Sequence, residues 1–135
     1  MKIYIASSWK NHHAVEMLSR LLEEKNHVIV SFVREGVKPN EVDEFGGFDA
    51  WVWSDNGEEK FLFDMSGAMM SDLVIYIGPS GTDAWAEVGA AWASKVPVYG
   101  ITGKGEPSGL TRRMIQWCDD IDHLISSVEA LSYAL

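Results

Sequence analysis

The chain has 135 residues, 47% hydrophobic and 23% charged, with a formal net charge of -9. That length suffices for one domain, residues 1–135, with a proper core and no disulfide or metal, and the acidic balance excludes a nucleic-acid polymer or an anionic membrane, because both need a basic face to displace counterions. The single cysteine, Cys118, rules out an intramolecular disulfide, no Cys or His cluster has zinc spacing, and no apolar run approaches the ~20 residues of a bilayer span. A cytoplasmic protein without metal or cofactor is expected, with a small molecule as its partner. His12 and His13 are adjacent, point in different directions on a helix, and read as surface residues.

In chain order, KIYIA (2–6) is rich in β-formers and predicts a first strand. SSW then opens a helical pattern whose stripe is Val15, Leu18, Leu21 and Leu22. HVIVSFV (27–33) reads as the second strand, and residues 34–57, rich in Gly, Pro, Asn and Asp, as a long loop of functional or mobile character. A helix over 58–70, a third strand over 72–77, a helix over 83–94 and a fourth strand over 96–101 follow. After a loop at 102–109 come a short strand near Gln116–Cys118 and a closing helix from about Asp120. Strands and helices alternating at this spacing predict an α/β fold, a doubly wound parallel sheet of about five strands, flavodoxin-like or Rossmann-like, with helices on both faces. Such sheets bind ligands at the carboxyl ends of their strands where the winding reverses, so the loops after strands one and three should meet across one cleft.

The stretch GPSGTDAWAEVGAAWA (78–93) carries the strongest functional signal. Gly78, Pro79, Ser80, Gly81, Thr82 and Asp83 form a turn with backbone freedom and two hydroxyls at the start of a helix, whose free N–H groups and positive dipole end suit an anion such as a phosphate. The plainer alternative is that Thr82 or Asp83 caps the helix. Neither cap accounts for Glu87, because a capping box needs Glu three residues after the cap. Asp83 and Glu87 are spaced i, i+4, so both can face the cleft mouth, where repulsion raises one pKa; a solvated first-turn glutamate is the alternative. Asp64, on the helix before strand three, and Tyr4, whose hydroxyl needs a partner if the strand is buried, are candidates for the same cleft.

These residues resemble the nucleoside 2-deoxyribosyltransferase family, including its relatives that hydrolyse nucleoside 5'-monophosphates, over roughly residues 1–100. KIYIASSW resembles the family's opening strand and turn, FDMSGAMMSDLVIYI its helix and third strand, and AEVGAAWASKVPVYGI its Glu-x-Gly-x-Ala helix and fourth strand. The resemblance implies that Glu87 is the nucleophile, Asp64 handles the leaving base, Tyr4 holds the nucleophile and Trp9 lines the base pocket, and it implies a homodimer. Two departures stand out. Gly81 occupies the place of the transferases' sugar-binding aspartate, with Asp83 closer to the nucleophile, and Ser80 matches the hydrolases' phosphate-binding serine only with a one-residue shift. Ser7 and Ser8 offer further hydroxyl donors after strand one. Trp51 and Trp53 in FDAWVWSDN are candidates for a lid over the base. The alternative from a different class is a nucleotide-binding or sensor module that keeps the cleft without turnover.

Overall fold

The structure, a computed structural model, describes residues 1–35, 42, 46–106 and 109–135. Five parallel strands form one sheet: β1 (Lys2–Ala6), β2 (Val28–Ser31), β3 (Leu73–Ile77), β4 (Val98–Ile101) and β5 (Gln116–Cys118), in the order β2-β1-β3-β4-β5. Tyr4 pairs with Val30 on one side and with Val74 on the other, which places β1 in the interior of the sheet. The helices are α1 (His12–Glu23), α2 (Phe32–Glu35), α3 (Phe48–Val52), α4 (Asp55–Met70), α5 (Thr82–Ala93) and α6 (Ile121–Ala134). The expected doubly wound fold is therefore the one observed.

The period-2 alternation of the central strands divides the interior into two cores. Ile3, Ile5, Leu73 and Ile75 face α1 and α6, where Val15, Leu18, Leu22, Leu124 and Val128 close over them. Tyr4, Ala6, Val74 and Tyr76 face the opposite side, against Ala68 of α4 and Ala84, Val88 and Ala91 of α5. Small residues on these two helices let them sit low on the sheet. At Gly67 the approach is so close that an added Cβ would lie 2.5 Å from the Tyr4 ring. Glycine is needed there by contact, not by dihedral angle.

Several boundaries differ from the sequence expectation. Of the long loop expected over 34–57, residues 48–52 form α3, and α4 begins at Asp55, because the Ser54 hydroxyl caps it by accepting from the Gly57 N–H at 3.1 Å; residues 36–41 and 43–45 lie outside the described residues, as do 107–108 of the expected loop over 102–109. The second strand ends at Ser31, whose Oγ accepts from the Val33 N–H and starts the turn of α2. Leu21 is 43% exposed and stands off the buried stripe of α1. The helix after β3 starts one residue early, with Gly81 in the cap position.

Candidate active site

The winding reverses between β1 and β3, and the carboxyl ends of those strands open on a cavity of about 500 Å³. The segment after β1 supplies Ser7, Ser8 and Trp9 to its wall; Phe32 comes from the start of α2, Phe48 and Trp51 from α3, Lys60 and Asp64 from α4, Gly81 from the cap of α5, and Thr82, Asp83, Ala84 and Glu87 from its first turns. The size suits a small organic ligand. Aromatic side chains form two parts of the wall: Trp9 meets Phe32 edge to face at 5.4 Å, and Phe48 lies 5.9 Å from Trp51. Trp51 is fixed by donating its indole N–H to Asn56 at 2.9 Å.

Tyr4 and Glu87 meet under this cavity. Tyr4 is fully buried on β1, and its hydroxyl donates to Glu87 Oε1 at 2.7 Å. Glu87, in the second turn of α5 on its sheet-facing side, is 6% exposed. Burial pushes its carboxyl up to about 8; the Tyr4 hydrogen bond opposes this, and the charges of Asp64 and Asp83 reinforce it. Asp64 is also pushed up by burial, to about 6, with the Tyr4 hydroxyl and the Lys60 ammonium opposing and Asp83 reinforcing. Tyr4 is held far above its ordinary value by burial and by the two carboxylates, so it stays a donor at every physiological pH. Because Glu87 and Asp64 interact, these values belong to the pair: between about pH 6 and pH 8 the two carboxyls hold one proton. Two carboxyls sharing a proton beside an aromatic-walled cavity form an arrangement suited to nucleophilic and acid–base work at a polar bond.

The structure brings Tyr4, Asp64, Glu87, Ser7, Ser8, Trp9, Gly81, Thr82 and Asp83 together at the cavity or directly beneath it. Gly78, Pro79 and Ser80 stand outside the lining, on the far side of the same turn, and the Gly78-Pro79 peptide is cis. Ser80 directs its hydroxyl to the Tyr76 hydroxyl at 3.0 Å. Neither Thr82 nor Asp83 caps α5. Gly81 holds the cap position and has no side chain to offer, so among the described residues no side-chain cap closes the first turn. Ser7 Oγ donates to the Ile77 carbonyl at 2.6 Å, which ties β1 to β3, whereas Ser8 Oγ is buried without a partner among the described residues. His12 is half-buried against Trp9 while His13 is exposed, and no group of three metal-binding side chains is found among the described residues.

Three participants escaped the sequence reading. Lys60, one turn before Asp64, had a usable signal in its i, i+4 spacing on the same helix face. Asn11, which donates to Ser7 Oγ at 3.0 Å and to the Pro79 carbonyl at 2.8 Å, had none. Glu106 is the third. It accepts from the Tyr76 hydroxyl and from the Trp85 indole across a long sequence interval.

No family model and no curated protein sequence matches the chain. Among solved structures it is similar to the CMP N-glycosidase of Clostridium botulinum, at 14% identity and a TM-score of 0.61, over 96% of this chain and 99% of that one. It is also similar to a 2-deoxyribosyltransferase from Bacillus psychrosaccharolyticus, at 26% identity and a TM-score of 0.64, over 89% and 87%. The fold is thus that of the nucleoside deoxyribosyltransferases and their N-glycosidase relatives, and the resemblance read from the sequence holds in three dimensions.

Proposed function

We propose that this chain is an enzyme that cleaves the N-glycosidic bond of a small nucleoside or nucleoside 5'-monophosphate. The observation that carries the reading is the 2.7 Å hydrogen bond from Tyr4 to a buried Glu87, at the floor of a cavity that also contains Asp64. The higher value is that of Glu87, so the shared proton rests there in the empty site; the chemistry requires it to pass to Asp64, on the base side, and Tyr4, which donates to the ionised form of Glu87, favours that transfer. The Glu87 carboxylate bonds to the anomeric carbon as the carbon–nitrogen bond breaks; the bonding pair leaves with the base nitrogen, and Asp64 gives up its proton to the base. Water, or a second base, then attacks the anomeric carbon, its proton passes to Asp64, and Glu87 departs as carboxylate.

Trp9, Phe48 and Trp51 provide apolar faces for a planar base, with Trp51 in the wall that α3 lays over the cavity. Asp83, in the cavity lining, offers an acceptor to a sugar hydroxyl in this reading. The open N–H groups of the first turn of α5, with Thr82 and the unpartnered Ser8 hydroxyl, favour a 5'-phosphate over a free 5'-hydroxyl.

Release of free base from a panel of nucleosides and 5'-monophosphates, read by chromatography, tests the proposal. Glu87→Gln should abolish release while binding persists. A variant that binds and still releases base at the wild-type rate would remove Glu87 from the chemistry, and a wild type that binds nucleotide but releases nothing would favour a sensor.

The same reading carries a cytoplasmic homodimer. Phe61, Leu62, Met69 and Met70 of α4 and Trp92 of α5 are each between 47% and 73% exposed on the side of the sheet that bears the site, an apolar surface of the kind that a second copy covers. No described helix is long and apolar enough to cross a membrane.

A further inference from the structure

We propose that Glu106, in the loop after β4, is a positioning residue that sets residues 81–84 against the substrate. This rests on the reading of the cavity given above. The turn between β3 and α5 forms one wall of the cavity and has no side-chain cap of its own. It is held instead from behind. Glu106 Oε1 accepts from the Tyr76 hydroxyl, near the end of β3, and from the Trp85 indole at 3.2 Å, just inside α5. The Tyr76 hydroxyl in turn accepts from Ser80, the residue before the cap position, at 3.0 Å. One carboxylate oxygen therefore ties together three points that bracket the turn.

The seat is made for this side chain. A Cβ at Gly78 would stand 1.8 Å from Glu106 Oε2, so any larger residue there would push the carboxylate off its seat. Oε2 itself is buried with no partner among the described residues. An orphaned oxygen is unfavourable, and an apolar side chain would fill a merely structural loop at lower cost; the donors gathered by Oε1 account for a carboxylate here. Tyr76 and Trp85 also pack ring to ring at 4.9 Å, so loss of the acceptor would loosen a unit rather than a single bond. Among the described residues Glu106 makes no hydrogen bond to Tyr4, Asp64 or Glu87, and Tyr4 and Glu87 are held by their own hydrogen bond. Its effect should therefore appear in the grip on substrate and not in the chemical step.

The test compares Glu106→Ala and Glu106→Gln in the full chain, on whichever nucleoside or 5'-monophosphate the wild type turns over. Displacing a positioned wall in Glu106→Ala should raise KM about 10-fold with kcat within about 2-fold, and Glu106→Gln, which keeps an acceptor, should restore KM to near the wild-type value. A merely structural role would lower the active fraction, seen as a fall in apparent kcat at constant KM, and that result would overturn the inference. If Glu106→Ala does not fold, Tyr76→Phe, which deletes the central hydroxyl of the same chain of bonds, should give the same KM rise, and an unchanged KM would overturn it. If the wild type releases no base, the proposed function fails separately. Glu106 is then judged by calorimetry with cytidine 5'-monophosphate: about 10-fold weaker binding in the alanine variant supports its role, and equal affinity, or no binding by the wild type, overturns it.

Discussion

Neutralising Glu87 should make the protein more stable at alkaline pH, and the size of the effect follows from its burial. The carboxyl titrates at 4.5 unperturbed and at about 8 when folded, chiefly because it is taken out of water. The folded state therefore holds this proton more tightly than the unfolded state does. Its contribution to stability is complete below pH 4.5 and is lost as the pH rises through 8. At 1.36 kcal/mol per pH unit the full loss has a ceiling of about 5 kcal/mol, of which roughly 2 falls between pH 6.5 and pH 9. Asp64 loses its own contribution lower down, between 3.8 and about 6, so the window above pH 6.5 isolates Glu87. In Glu87→Gln the amide oxygen still accepts from Tyr4 and the shape is kept. Urea unfolding at steps from pH 6.5 to 9 should show the wild type losing roughly 2 kcal/mol while Glu87→Gln loses less than about 0.5. Parallel curves for the two proteins would refute the claim that position 87 carries a buried, proton-holding carboxyl.

Tyr4→Phe removes the donor that opposes the upward shift of Glu87, so the alkaline loss of stability should move to higher pH and base release should fall about 10- to 100-fold; an unchanged pH–rate profile would count against Tyr4 as orienter. Gly67→Ala places a methyl group 2.5 Å from the Tyr4 ring and should cost about 1–3 kcal/mol by overpacking, with release falling alongside; unfolding curves and activity together check it. A dimeric mass by light scattering is expected, and Phe61→Asp with Met70→Asp should yield a monomer, whereas a monomeric wild type would refute the interface on α4.

The parts of this structure that follow short-range rules were legible in the sequence. Runs of apolar β-formers in KIYIA and DLVIYIG placed β1 and β3, and a glutamate that no helix cap accounts for singled out Glu87, which the structure shows buried on Tyr4. What could not be read depends on distant partners. Glu106 looks like one more loop acid until Tyr76 and Trp85 converge on it from other elements. Residues 48–52 read as loop because the segment is short and follows Gly46 and Gly47 at positive φ, and its helix packs onto α4. Ser80 was read as a ligand contact because its hydroxyl lies in a glycine-rich turn, but sequence does not show to which side of a turn a hydroxyl points.

The two-sidedness of β1 has a consequence for the population of molecules in a cell. Tyr4 and Ala6 serve one core, Ile3 and Ile5 the other. A slip of one position along the neighbouring strands would drive the phenol into the aliphatic interior beneath α1 and α6 and leave Glu87 facing a hydrocarbon side chain. Misassembly at this strand thus removes the Tyr4–Glu87 pair and the packing of both cores in a single event. Such copies would be loosely packed and open to proteolysis, so few folded ones lacking the pair would accumulate.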